Sequence, residues 1–246
     1  FMFETDSSDY DIEVRFFTPT TEVPICGHAT IAAHYVRAKE THMEGGTVVQ
    51  KTKAGILPVD VVRTPNDYSI TMTQGTPAIS APFGDAVRER IADALGIAHE
   101  EICREYPVAV ASTGHSKVMV PIYSNELLHG LQPDLQKLTK ISKQIECNGY
   151  YVFTLNPQNK ILVHGRMFAP AIGIAEDPVT GNANGPLGAY LVHFNILQDE
   201  DARCFDFDIM QGEAIKRDGT MHVHVEKEHG TPKLVQITGN AVIAFS

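Results

Sequence analysis

Short stretches of alternating apolar and polar residues dominate the chain, and only a few segments change to a helical period. The alternation predicts strands over 1–4 and 12–17, joined by the polar turn Thr5-Asp6-Ser7-Ser8-Asp9 in a hairpin pattern. Pro19 and Pro24 then bracket a loop, and from Gly27 the period changes. Ile31, Ala32, Tyr35 and Val36 fall on one helical face, with Thr30 or the Gly27-His28 backbone able to cap the start. Strands over 48–51, 56–63 and 68–73 form an antiparallel meander, turning at Lys53-Ala54-Gly55 and Thr64-Pro65-Asn66-Asp67. Gly75-Thr76-Pro77 closes that sheet. A second helix opens at Phe83-Gly84-Asp85, buries Val87, Ile91 and Leu95 beneath a charged outer face, and stops at Gly96. Strands over 107–112 and 117–122 flank Thr113-Gly114-His115. A helix over 133–145 turns Leu135, Leu138, Ile141 and Ile145 inward and ends before Asn148-Gly149. Strands over 150–155 and 161–168 lead to a second Pro/Gly-rich loop and its helix. Strands over 205–210, 221–226, 234–238 and 241–245 complete a second meander.

The two halves repeat one pattern. R-F-F-T-P at 15–19 is followed by P-I-C-G-H-A at 24–29 and an apolar run ending at Tyr35-Val36. R-M-F-A-P at 166–170 is followed by P-V-T-G-N-A at 178–183 and a run ending at Tyr190-Leu191-Val192. Ordered matches of this kind point to an internal duplication, one copy per domain, with a site where the copies meet. The expected organisation is a domain over 1–100 and a domain over 101–246, with the last strand packing on the first domain. The chain opens inside a strand, so we expect an upstream segment to be absent and the first domain to lack its first strands and helix.

Composition narrows the partners. An apolar share of 43% suffices for packed cores, and 19 Gly with 14 Pro implies frequent turns, so the chain reads as a globular protein. Twenty basic against 30 acidic residues give a net charge of −10 without a basic cluster, which argues against nucleic acid as a partner. No apolar run approaches the ~18 residues of a membrane span, and no leader-like start is seen. Cys26, Cys103, Cys147 and Cys204 are widely spaced and fit reduced thiols in a cytoplasm better than a disulfide framework.

Candidate chemistry concentrates in the two loops. A helix N-terminus favours an anion by ~0.3–1 kcal/mol, so two such ends directed at one cleft would suit a small carboxylate. Asp177 precedes Pro178, which holds it outside the helical conformation. It can act as a base or orient a substrate amine, or it can form an Asx turn or cap. Glu176 reads as its solvated neighbour. His28 occupies the place that Asn182 takes in the second copy, and a neutral hydrogen-bonding imidazole is expected at a helix start, whether towards substrate or towards a loop carbonyl. Cys26 invites a thiol reading. Its counterpart in the second copy is Thr180, so a two-thiol epimerase is not expected. The 11 His residues, among them His222 and His224 on one strand face, show no H-E-x-x-H and no compact carboxylate set, so no metal is expected. No dinucleotide or P-loop fingerprint appears, and no cofactor is expected.

These loops, with T-G-H-S-K-V-M-V-P at 113–121, resemble the PhzF-like (phenazine biosynthesis-like) isomerases, and the YddE-type members in particular, within the diaminopimelate epimerase-like fold. The likeness covers essentially the whole chain. It implies an α+β protein of two pseudo-symmetric domains, each a barrel-like, mostly antiparallel sheet around a central helix. It also implies a cofactor-independent proton shift by acid–base catalysis on a small carboxylate in the interdomain cleft, often in a homodimer. By motif, Gly27 and His28 match the first-loop binding pair and Asp177 the acid of the second loop. Gly181 and Asn182 match a place where the phenazine enzyme has Gly-Ser, a departure that bears on the substrate. Catalytic roles are therefore expected for Asp177 and His28, and substrate contacts for Gly27, Thr180, Gly181 and Asn182. The family's proton-shuttling Glu, in an N-x-S-E-T motif, would fall just before Phe1. The alternatives are a non-catalytic small-carboxylate binder of the same fold and a thiol enzyme using Cys26.

Overall fold

A computed structural model describes residues 1–17, 22–159, 161–197 and 202–243. Pro19 of the first loop motif lies outside the described residues. The chain packs as two compact units, one of Phe1–Thr73 with Gln236–Ser246, the other of Gln74–Val235.

The first unit begins with β1 (Met2–Phe3) and β2 (Ile12–Val14), which pair antiparallel as the hairpin pattern requires. The expected single strand over 12–17 is interrupted at Arg15. Its remainder, β3 (Phe16–Phe17), pairs with β4 (Glu22–Val23) in a separate ribbon. Helix α1 (Gly27–Glu40) follows, then β5 (Gly46–Thr52), β6 (Gly55–Arg63) and β7 (Tyr68–Thr73), an antiparallel meander against which α1 packs. Strand β2 joins β5 in parallel. The buried face of α1 is Thr30, Ile31, His34, Tyr35 and Ala38, while Val36 is 40% exposed. Val36, expected inside, lies one step round the helix from the stripe centred on Ile31 and Tyr35, and the polar His34 takes the inner position. His34 Nε2 lies 3.0 Å from Gln50 Oε1, both residues being buried. Burial of side chains such as Ile31, Ile70 and Met72 stabilises this unit by ~1.5–3 kcal/mol each.

The second unit contains β8 (Ala78–Ile79), α2 (Asp85–Leu95), β9 (Ala109–Ser112), β10 (Ser116–Pro121), α3 (Asn125–Gly130) and α4 (Leu135–Ile145). It continues through β11 (Tyr150–Leu155), β12 (Ile161–Ala169), β13 (Ile174–Asp177), α5 (Gly181–His193), β14 (Cys204–Gln211), β15 (Gly219–Glu228) and β16 (Thr231–Gly239). Helix α2 ends where Gly96 turns left-handed at φ 76°, as its sequence signal indicated. Helix α4 starts two residues later than expected, because the Asp134 carboxylate caps it by accepting from Gln136 and Lys137 N–H. No strand forms over 241–243; the rest of the expected strand at 241–245 lies outside the described residues. Residues 236–239 of β16 return to the first unit and pair with β7.

Strand alternation gives this sheet two distinct faces. Val118, Val120, Tyr150, Val152 and Phe168 project to one side and bury Ile91, Leu95, Leu138 and Ile141 of α2 and α4. Met119, Tyr151, Phe153 and Met167 project to the other, where the Phe153 ring meets Tyr190 of α5 at 5.8 Å. Helix α5 is buried on every side from Ala183 to Val192, as a helix apolar all round must be. It contacts β8, β9 and β10 and also β15, from opposite stretches of the strand order, so the sheet curls around it. Gly188 permits the closest approach: a Cβ there would fall 2.7 Å from a Val223 methyl. The result is an α+β fold with a barrel-like sheet around a central helix, antiparallel within this unit except where β10 joins β11 and β12 joins β14.

Candidate active site

Both duplicated loops end in a helix that starts at the same motif position. Cys26 is the extended residue before α1, with Gly27 and His28 as the first two helical residues. Thr180 is the extended residue before α5, with Gly181 and Asn182 in the matching places. Neither start carries a side-chain cap, and neither first turn contains an acid. Both ends thus present partial positive charge with no carboxylate of their own turn to neutralise it. In α5 the helix also contains Pro186, which has no N–H for the Asn182 carbonyl four residues earlier.

In the first unit, Gly27 is buried and His28 is exposed. The Cys26 sulfur lies 3.6 Å from His28 Nε2 and 3.8 Å from Nδ1. Thr30 does not cap the helix; its hydroxyl donates back to the Cys26 carbonyl at 2.9 Å. That bond fixes the residue from which α1 departs.

In the second unit the acidic pair lies on strand β13 rather than on a turn, because Asp177 pairs with Met167 of β12. Consecutive strand residues face opposite ways, so the two carboxylates have different surroundings. Glu176 projects with Arg166 to the outer face. The guanidinium donates from Nε at 2.9 Å and Nη2 at 2.8 Å to its two oxygens, and from Nη1 to the Leu128 and Leu131 carbonyls. The side chains are 8% and 13% exposed, so Glu176 is a largely enclosed ion-pair partner and not the solvated neighbour expected. Asp177 projects to the inner face, half-buried, and accepts a hydrogen bond from the Thr180 hydroxyl.

A residue outside both motifs holds this loop. Gln211, at the end of β14 and 1% exposed, donates through Nε2 to the Asp177 carbonyl at 2.7 Å and to the Thr180 hydroxyl at 3.1 Å. Its Oε1 accepts from Thr180 N–H and from Asn184 Nδ2, each at 3.2 Å. Gly212 follows at φ 90°, and a Cβ there would lie 2.7 Å from the Pro178 carbonyl. The backbone on both sides of Pro178 is therefore gripped by β14 and the turn after it. The available signal in the sequence was a Gln-Gly pair ending an otherwise apolar alternation, a pattern that suggests a turn and nothing more.

The His-rich β15 contributes an outer-face ladder. His222 Nδ1 lies 2.8 Å from Asp208, and His224 Nδ1 lies 2.8 Å from Asp206, which also meets His222 Nε2 at 3.2 Å. Strand pairing thus assembles the carboxylate–His set that linear spacing hid. Among the described residues, no group of three or more His, Cys, Asp or Glu is arranged to hold a metal ion. A surface groove of about 500 Å³ runs beside α4, between Lys140, Lys143, Pro170 and Gly173, and none of the two-loop motif residues expected at the site line it. Among the described residues, no helix is long and apolar enough to cross a membrane.

The family model described as PhzC-PhzF, phenazine biosynthesis-like protein, matches residues 1–246. An uncharacterized isomerase of Clostridium acetobutylicum is 53% identical over 100% of this chain and 81% of its own length. The uncharacterized isomerase YddE of Escherichia coli K12 is 48% identical over 97% of this chain and 80% of its own. The trans-2,3-dihydro-3-hydroxyanthranilate isomerase of Pseudomonas fluorescens is 27% identical over 94% and 77%. Among solved structures, a PhzF-family phenazine biosynthesis protein of Bacillus anthracis superposes with a TM-score of 0.84 at 30% identity, covering 96% of this chain and 80% of that one. These relatives support an isomerase function in general, and the match over the full 246 residues makes the chain a member of the PhzC-PhzF, phenazine biosynthesis-like family.

Proposed function

We propose that the protein is a cofactor-independent isomerase that shifts a proton on a small carboxylate-bearing substrate. In this reading Asp177 and His28 handle or position the migrating proton and the substrate's polar groups, while Gly27, Thr180, Gly181 and Asn182 bind the substrate. One C–H bond breaks and another forms as the electron pair moves between them, so no redox partner is required. The observation that carries the proposal is the state of Asp177. It is a half-buried carboxylate at the start of an uncapped helix, held from its hydroxyl neighbour Thr180 and from its own carbonyl by Gln211. Such a fixed group can give the ~10²–10⁴-fold assistance typical of acid–base catalysis. The Pseudomonas fluorescens relative is named for isomerising a small hydroxylated amino acid, which supports the substrate class. Asn182 stands where that enzyme class was expected to have Ser, so the exact substrate is proposed to differ.

The test is hydrogen exchange. The full-length protein is incubated in D2O with a panel of small amino and hydroxy acids, and deuterium at carbon is followed by NMR. Incorporation that Asp177→Asn abolishes supports the proposal. Saturable binding without incorporation into any acid supports instead a binding protein of the same fold. Cys26→Ala is expected to exchange normally, and its inactivity would turn the assignment towards the thiol.

A further inference from the structure

Strand β10 contains a buried cation that the site described above does not use. Lys117 is 8% exposed, in a strand whose following residues, Val118 to Pro121, are all buried. Lysines are almost never so enclosed unless paired. Among the described residues, none of the ion pairs involves Lys117, and its only hydrogen bond runs from Nζ to the Ser116 carbonyl at 3.1 Å. Two of its three donor positions are thus unused. Its stem lies against Gly149, where a Cβ would come 2.9 Å from Cε, so the neighbouring strand leaves space for a lysine.

The direction of the side chain matters. Lys117 lies two residues before Met119 and therefore shares the inner face of the sheet with it. The register Met119 to Tyr151 to Met167 to Asp177 puts Asp177 on that same face. The turn before β10 is tied to the first turns of α5. Thr113 Oγ1 donates to Gln74 Oε1 at 3.4 Å, and Gln74 packs on Gly185, where a Cβ would meet it at 3.1 Å. Lys117 consequently lies at the end of the unit where α5 begins. Burial lowers its proton affinity and Cys147 and Asp177 act to restore it, while nearby His115 has its own pKa lowered by burial first and by the ammonium second. A thiol and one shared carboxylate leave this ammonium short of a counter-ion.

We propose that Lys117 is the anion anchor of this site, and that its ammonium takes a carboxylate of the small substrate while Asp177 faces the reacting carbon. This rests on the isomerase reading for the identity of the ligand, but not for the existence of the anion site. It also makes the T-G-H-S-K block part of substrate recognition.

The probe is malonate, a small dicarboxylate, with uncharged malonamide as control, added to full-length protein labelled with ¹³Cε-lysine. Malonate is expected to shift the Lys117 resonance saturably, and malonamide to leave it in place. Lys117→Met, of similar length and suited to a buried slot, is expected to keep or raise Tm while weakening malonate binding by ~10-fold or more in calorimetry. Lys117→Gln serves as a second variant should Met not fold. Asp177→Asn is expected to retain malonate. Undiminished malonate binding in both lysine variants, or no saturable shift of Lys117 in the wild type, would overturn the proposal. A fall in Tm with binding intact would instead identify Lys117 as structural and also overturn it. Should deuterium exchange fail for every acid while malonate still binds at Lys117, the isomerase reading falls and the anion site stands.

Discussion

Replacing Gln211 by Met removes the grip on the Asp177 loop without opening a cavity, because the two side chains are of similar length. Three partners lose their bonds to Gln211: the Thr180 N–H, the Asn184 amide and the Asp177 carbonyl. The Thr180 hydroxyl keeps its bond to the Asp177 carboxylate. At ~1 kcal/mol for each of these three groups the variant loses ~3 kcal/mol, roughly a hundredfold in the unfolding equilibrium. With ~2–4 °C per kcal/mol for a unit of this size, Tm should fall by ~6–12 °C. Differential scanning calorimetry reads this directly, and amide exchange at Thr180 should accelerate in the same variant. A Tm within about 2 °C of the wild type, with Thr180 still protected, would refute the claim that Gln211 holds the loop.

Breaking the Arg166–Glu176 pair by Arg166→Met should cost ~3–5 kcal/mol in urea unfolding, because a carboxylate is left buried, whereas Arg166→Met with Glu176→Leu should recover most of the loss. Gly165→Ala should lower stability by ~1–3 kcal/mol, since its methyl would overlap the phenol of fully buried Tyr151. Tyr151→Phe should leave Tm unchanged or higher, because the hydroxyl it removes is buried and has no partner among the described residues. Two histidines should bend the pH profile of stability in opposite senses. Burial depresses the pKa of His34 despite its bond to Gln50, so its contribution is complete above the unfolded value of about 6.5 and is lost as pH falls towards the folded one. For His222 burial opposes the charge, but the bonds to Asp208 and Asp206 outweigh it and raise the pKa, so its contribution is present below about 6.5 and lost as pH rises through the folded value. Urea midpoints across pH for His34→Gln and His222→Ala should each lose the corresponding slope.

Local chemistry carried most of the elements. Strand β7 over Tyr68–Thr73 and strand β11 over Tyr150–Leu155 fall where the alternation puts them, and Gly96 stops α2 as a left-handed glycine should. Both motif helices begin at the Gly of their motif. Pairing between distant segments was not legible. Glu176 looked solvated because nothing in its neighbourhood reveals that Arg166, ten residues earlier on an antiparallel strand, closes over it. Short β13 hid in a stretch rich in Gly and Pro, where its strand pairing is to the edge of β12. Helix α3, six residues begun by the Ser124 cap, is too short to display a period. Gln211 and Lys117 share this origin: each reads as one polar residue in a strand, and its meaning depends on which face the sheet turns inward.

The central claim is that Asp177 takes part in moving a proton on a small carboxylic acid. Its most direct measurement is deuterium uptake at carbon, by NMR in D2O, for the full-length wild type and Asp177→Asn with the same acid at saturating concentration. Uptake is expected with the wild type, and a fall of ~10²-fold or more in the variant, with its Tm preserved. Uptake by Asp177→Asn at the wild-type rate would contradict it.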